Sequence, residues 1–379
     1  MSYLPNFIFL ILLILAGGFF LRNILQIKRN INLGRATDRK DQISQRWKQM
    51  LRIALGQSKM GTKPLAAFLH LIVYVGFIII NIELLEIVLD GLLGTHRLFA
   101  PLLGSFYNIL IASFELLALL VLVAVFFFWA RRNVIKIKRF WKAEMKGWPK
   151  YDADLILYFE VVLMSLFLCM NATDFLIQQQ DVPHFIKAGS FPVSQFLLPL
   201  FDGFALETLL ILERIFWWAH IAGILVFLNY LYYSKHLHIL LAFPNTFYAK
   251  LVPDGKFEVD QNIKNEVMLM LYPDQTEPSS QGEVPSKFGA SDVFDLQWTQ
   301  LMNAYSCTEC GRCSEACPAN LTGKKLSPRK IMMDTRDRLE EVGKNLNANN
   351  GVFKPDDKQL LHDYISAEEL WACTSCNAC

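Results

Sequence analysis

Five long apolar stretches within the first 241 residues constrain this chain more than any other feature. Residues 4–27 contain an uncharged run long enough to cross a bilayer core, which takes about 20 helical residues. Comparable stretches lie at about 64–89, 103–130, 153–177 and 207–241, the last long enough to overrun the membrane. Of the 379 residues 53% are hydrophobic, too many for an ordinary soluble domain, and the excess is confined to this part. The expected fold is all-α: a five-helix transmembrane bundle over residues 1–241, a cytoplasmic tether over 242–298 and an α-helical cofactor domain over 299–379.

Loop charge orients the bundle. No positive segment precedes the first span and no small-residue cleavage site follows it, so it reads as an uncleaved anchor. Residues 28–63 contain ten Lys or Arg against two acids, and residues 131–150 eight against one. Both loops belong on the cytoplasmic side by the positive-inside rule, which puts the N-terminus outside and the C-terminal domain in the cytoplasm. The rule accounts for the basic stretches without a nucleic-acid partner. The short loop 90–102, with His96 and Arg97, and the longer loop 178–206 then face outward. The tether carries Pro244, Pro253, Pro273, Pro278 and Pro285, with SSQGE between the last two, and shows no sustained helical period.

Seven of the eight cysteines form two tight runs. Cys307, Cys310, Cys313 and Cys317, followed by Pro318, have the bacterial-type spacing for a [4Fe–4S] cluster, and Cys373, Cys376 and Cys379 begin a second run. In two-cluster ferredoxins the fourth cysteine of each run ligates the other cluster, so Cys317 is expected to complete the cube of Cys373, Cys376 and Cys379. Cys307, Cys310 and Cys313 then hold three corners of the other cube, and the chain reads as continuing past Cys379 to the fourth ligand. Zinc shares the Cys-x-x-Cys spacing but rarely takes this succession ending in Cys-Pro. Disulfides fit poorly with thiols so closely spaced in a cytoplasmic domain. Cys169, in an apolar helix, reads as a small buried hydrophobe. Between the runs, SPRKIMMDTRDRLEEV is expected to be helical, with Ser327 as N-cap and Pro328 at the first helical position, ending in the turn residues NLNANNG.

Histidines in the bundle are candidate haem ligands. His220 and His238 lie 18 residues apart on the expected fifth helix. That is five turns, one face, and an axial separation of about 27 Å. His70, six residues past Pro64, is expected near the cytoplasmic side. Depth pairs His70 with His238, or less well with His236, as axial ligands of an inner b-type haem. His220 would serve an outer haem, with His96 or the more distant His184 as second ligand, or would face a quinone instead. Among intramembrane carboxylates Glu115 and Glu160 lie deepest and are the leading candidates for quinone or proton chemistry. Glu83, Glu86, Asp174 and Glu213 lie toward the outer side, where interfacial solvation is an equal explanation.

The five-helix layout, His70 in AAFLHLIVYVGF, and WWAHIAGI followed by KHLHILLAFPN resemble the gamma subunit of respiratory nitrate reductases and the cytochrome b subunit of membrane-bound heterodisulfide reductases. The tail, YSCTECGRCSEACPANLTGKKLSPRKIMMDTRDRL and then LWACTSCNAC, is similar to heterodisulfide reductase iron–sulfur subunits and to fused membrane proteins linking electron-transfer flavoprotein to menaquinone. The resemblance implies haem b at His70 and His238, an outer ligand at His220, two [4Fe–4S] clusters, and menaquinone as membrane substrate. It also implies an electron-transfer flavoprotein or a heterodisulfide-reductase-like catalytic subunit as cytoplasmic partner, at a bacterial inner membrane. Two departures stand out. Ile80 occupies the place where the nitrate reductase type carries a second histidine, and the further cysteine-rich catalytic domain of the fused proteins is not in this sequence.

These readings describe a wire, a membrane quinone oxidoreductase subunit whose cytoplasmic substrate site lies on another polypeptide. The rival from a different class is a non-catalytic iron–sulfur anchor, without haem, that docks a soluble reductase. A transporter fits poorly, since the spans lack mid-helix Gly/Pro breaks and an internal repeat.

Overall fold

The computed structural model describes residues 3–252, 256, 259, 261–273, 289–377 and 379. Every named element among the described residues is helical, and the β pairing there amounts to two isolated bridges. In chain order the principal helices are α1 (Leu4–Ile31), α2 (Ile43–Met50), α3 (Pro64–Leu93), α4 (Ser105–Asn133), α5 (Trp148–Gln178), α6 (Leu206–Tyr230), α7 (His238–Phe247), α8 (Gln261–Leu271), α9 (Trp298–Ser306) and α10 (Pro328–Ala348). Of these, α1, α3, α4, α5 and α6 with its following turn are long and apolar enough to cross a membrane. A helix of 28 residues such as α1 is about 42 Å long, more than the roughly 30 Å of a hydrocarbon core. Phe7, Ile14 and Leu15 on α1 stay more than 60% exposed, a surface suited to lipid rather than water.

The chain divides into two compact units, one of Met1–Ile24 with Gln57–His236 and one of Leu25–Gly56 with Leu237–Cys379. In the membrane unit, Pro64 opens α3 where its missing N–H costs nothing, and Gly94 ends it at φ +72°, donating to the Asp90 carbonyl at 2.8 Å. Helices α5 and α6 pack closely, because a Cβ on Gly223 would meet Leu163 Cδ2 at 2.8 Å.

The fifth span departs from expectation. Helix α6 continues through a single 3-10 turn to Tyr233, and Ser234 is then extended at φ −113°, ψ 146°. Competing hydrogen bonds explain the break: Ser234 Oγ accepts from the His236 N–H at 3.0 Å, and Asp152 Oδ2 accepts from the Lys235 N–H at 3.1 Å. His220 and His238 therefore do not share one continuous helix, and the five-turn, one-face relation does not apply.

In the second unit, Arg46 on α2 is buried and donates to the carbonyls of Phe247 (3.2 Å) and Ala249 (2.9 Å) beyond α7. Asn30 donates to Tyr305 Oη on α9 at 2.9 Å. Helix α8 forms in the stretch where no helical period was expected. Of the tether's other expected features, Pro253, Pro278, Pro285 and SSQGE lie outside the described residues. Ser327 caps α10 as expected, with Pro328 at its first turn, and the helix runs on through Asn345 and Asn347 to end at Ala348.

Candidate functional sites: the cysteine runs and the membrane cavity

Cys307–Cys317 wraps the one-turn helix Arg312–Ala316, and Cys373–Cys379 follows the short helix Ala367–Trp371. The latter is started by Ser366, whose Oγ accepts from Glu369 N–H while Glu369 accepts from Ser366 N–H at 2.9 Å. Lys330 on α10 fastens the second run, pairing with Glu369 at 3.0 Å and donating to the Tyr364 carbonyl at 3.0 Å. Ser314 fastens the first: its Oγ lies 2.9 Å from Ser327 Oγ and accepts from the Arg329 N–H at 3.1 Å. Cys317 is buried in an apolar cluster with Ala319 and Leu326, against which Ile331 and Ala372 pack. That cluster sets the end of the first run beside the start of the second.

The donor set suits thiolate chemistry. Backbone N–H groups two residues on donate to sulfur in both runs, Glu309 to Cys307 Sγ and Ser375 to Cys373 Sγ, each at 3.4 Å. Burial pushes the Cys307 thiol up to about 11. Burial also raises Cys310, but donation from the Arg312 backbone and side chain outweighs it and leaves the thiol below its ordinary value. Cys379 is raised by partial desolvation and by the neighbouring thiols of Cys373, Cys317 and Cys376, the set expected to share one cube. Thiols must be deprotonated to bind iron, so cluster binding has to overcome these upward shifts.

In the membrane unit a cavity of about 100 Å³ lies among α3, α4, α5 and α6, its walls mainly apolar. His220, Glu83 and Glu160 supply the ionisable groups, and Ile80 and Asn81 face it from α3. His220 is 4% exposed, and its Nδ1 lies 3.0 Å from the Leu163 carbonyl. A carbonyl only accepts, so Nδ1 carries the proton and Nε2 keeps its lone pair. Glu83 is buried at 3% exposure, and its Oε2 has no hydrogen-bond partner among the described residues.

The carboxylates expected to lead divide here. Glu160 lines the cavity. Glu115 is fully buried and engaged: Oε2 accepts from the N–H groups of Val193 (2.8 Å) and Ser194 (3.0 Å), and Oε1 accepts from Asn171 Nδ2 (3.1 Å) and the Ser194 hydroxyl. It holds the 178–206 loop rather than facing the cavity. Glu83, given no priority on sequence grounds, faces it instead; only the packing of α3 against its neighbours reveals this, and no sequence signal carried it.

His96 has both ring nitrogens committed, Nδ1 accepting from the Ile186 N–H at 3.1 Å and Nε2 lying 3.1 Å from Asp174 Oδ1. His184 is exposed and packs near the His96 ring, with centroids 6.1 Å apart. Among the lining residues of this cavity His220 is the one histidine, and His96 and His184 line a second cavity of the membrane unit, so the residues expected for an outer haem are not brought together at His220. His70 belongs to the membrane unit and His238, the first residue of α7, to the second. Around His96, Arg97 pairs with Asp174 at 2.6 Å and donates to Asn171 and Tyr107 at 3.1 Å each, and Tyr107 donates to Glu86 at 2.8 Å. Asp174 and Glu86 thus stabilise the loop rather than face a substrate, while Glu213 pairs with Arg214.

Residues 306–379 match the family described as a 4Fe-4S dicluster domain. Over 372 residues, 90% of this chain, the sequence is 26% identical to a probable iron-sulfur-binding oxidoreductase, FadF, of Bacillus subtilis, of which 48% is covered. Over 365 residues, again 90% of this chain, it is 25% identical to an EtfAB:quinone oxidoreductase of Syntrophomonas wolfei, of which 47% is covered. A probable membrane-anchored ferredoxin of Chromohalobacter salexigens is 29% identical over 112 residues, covering 26% of this chain and 16% of that protein. These relatives match the expected fusion. The chain thus joins five helices long and apolar enough to cross a membrane to a segment that matches a 4Fe-4S dicluster domain, and is similar to iron–sulfur oxidoreductases over most of its length. It spans about half the length of the first two relatives. No solved structure matches it.

Proposed function

We propose that this protein passes electrons between a cytoplasmic redox partner and a quinone of the surrounding membrane, through two [4Fe–4S] clusters. The observation that carries the reading is a mainly apolar cavity among membrane-crossing helices, presenting one imidazole and two carboxylates, on the same chain as a dicluster domain. Clusters supply one-electron transfer when bound. The chain's own residues supply the rest. Apolar walls from Val73, Phe77 and Phe167 suit a flat quinone ring and exclude water. The Nε2 lone pair of His220 accepts a proton from a quinol hydroxyl and, in the reverse direction, returns one. A quinone substrate and an electron-transfer flavoprotein partner are in line with the name of the Syntrophomonas relative, and menaquinone is proposed from the resemblance alone. Loop charge supports a cluster domain in the cytoplasm, and a bacterial inner membrane is proposed from the resemblance. His70 and His238 are retained as candidate haem b ligands on sequence grounds.

The test is reconstitution. Protein in nanodiscs, given a reduced electron-transfer flavoprotein and a short-chain naphthoquinone, should form naphthoquinol, with the clusters cycling by electron paramagnetic resonance. Cluster reduction without quinol formation would leave only the iron–sulfur anchor. A reduced-minus-oxidised visible spectrum decides haem directly.

A further inference from the structure

A second cavity, of about 370 Å³, lies in the membrane unit where the start of α1, the end of α3 and the start of α6 come together. Its lining is more polar than that of the first, with Asp90, His96, Arg97, Asp174, His184 and Glu213 set beside apolar Phe9 and Trp217, and it is called the polar cavity below. The two cavities share two lining residues, Glu83 and Ile87. Ile87 carries no proton. Glu83 is 3% exposed, with Oε2 buried and without a hydrogen-bond partner among the described residues, although donors such as Arg97 are engaged nearby with Asp174, Asn171 and Tyr107. A buried polar atom left unpaired is costly, and such costs concentrate where a group must exchange partners.

We propose that Glu83 is the proton-transferring residue between the polar cavity and the quinone site, a role that rests on the functional reading above. The balance is that of quinone reduction: two electrons from a reduced flavoprotein reach the quinone by way of the clusters, two protons arrive, and two carbonyl oxygens become hydroxyls. Each proton leaves water in the polar cavity, protonates the Glu83 carboxylate, and passes from it toward His220 and the quinone oxygen, returning Glu83 to its starting form. Quinol oxidation runs the same sequence backwards. The Arg97–Asp174 pair keeps the polar cavity hydrophilic, while the apolar walls of the other cavity leave Glu83 as the carboxylate that touches both.

The experiment uses full-length protein in nanodiscs, reduced electron-transfer flavoprotein and a short-chain naphthoquinone. Glu83→Gln should keep naphthoquinone binding and cluster reduction while cutting quinol formation by about 100-fold, the scale of a lost acid–base group. Glu83→Asp should recover part of the rate and show a larger solvent deuterium isotope effect than the parent, which a purely structural role would not move. Unchanged turnover in Glu83→Gln overturns the proton role and leaves the quinone reading standing. Loss of naphthoquinone binding in that variant also overturns it, making Glu83 a binding residue. If Glu83→Gln does not fold, Glu83→Asp decides by its isotope effect, an unaltered value overturning the proposal. Absence of quinol formation by the parent protein refutes both readings together.

Discussion

His220 donates its Nδ1 proton to the Leu163 carbonyl across the α5–α6 contact at 3.0 Å. One backbone acceptor thereby fixes the tautomer of a buried imidazole and turns its other nitrogen into a proton acceptor. His220→Phe keeps a ring of similar breadth and removes both nitrogens. Quinol formation should fall by about 100-fold, while dithionite reduction of the clusters is unchanged. Equal turnover in the variant would remove His220 from the chemistry.

Cys317 packs with Ala319 and Leu326, and Ala372 lies against them one residue before Cys373. Crossed ligation is the expected arrangement in two-cluster ferredoxins, and it has a spectroscopic signature. Cys317→Ser and Cys376→Ser should perturb the same cluster signal in the dithionite-reduced protein, and Cys310→Ser the other. Coincidence of the Cys317→Ser and Cys310→Ser spectra would assign each run to its own cluster.

Arg338 is fully buried and bonded to Asp292 (2.9 Å), Asp356 (2.6 Å) and the Lys358 carbonyl (2.7 Å). Arg338→Met leaves both carboxylates without their cation and should destabilise the second unit by about 3 kcal/mol, measured by urea titration of the cluster-loaded protein. The Arg338 hydrogen bond holds the Asp356 carboxyl below its ordinary value. A depressed carboxylate contributes stability above its unfolded pKa of about 3.9 and loses it as pH falls through the folded value. Acid sensitivity below about pH 4 should therefore weaken in Asp356→Asn. An identical acid limb in the variant would deny the pair that role.

Glu115 is expected to matter for order rather than turnover. Glu115→Ala strands the N–H groups of Val193 and Ser194, at about 1–3 kcal/mol for each unsatisfied group. Hydrogen exchange at Val193 and Ser194 should rise sharply, with naphthoquinone binding retained. Loss of binding with unaltered exchange would return Glu115 to the quinone site.

Much of this was legible in the sequence because the signals were strong and local. Five apolar stretches gave five helices, with ends close to those expected in all but the fifth, and Ser327 with Pro328 gave the start of α10. The cysteine spacing pointed to the domain that residues 306–379 match. What escaped depended on side chains meeting across space. The break at Ser234 arises from Asp152, 83 residues away from its Lys235 partner, and an apolar run gives no sign of it. Depth along a helix ranked Glu115 and Glu160 together, yet one holds a loop and the other faces a cavity, because depth says nothing about the face on which a side chain emerges. His96 looked free for a metal until Asp174 and the Ile186 N–H claimed its two nitrogens.

Arg46 donates to the Phe247 carbonyl, 201 residues further along the chain. During synthesis that carbonyl does not yet exist when Arg46 leaves the ribosome, whereas Asp41, whose carboxylate and carbonyl the same guanidinium also engages, has already been made. Only after the last membrane helix has been made do the carbonyls of Phe247 and Ala249 become available to the same group. One side chain thus gathers its partners in two instalments, a near one first and two distant ones last, and the order is enforced by the direction of translation.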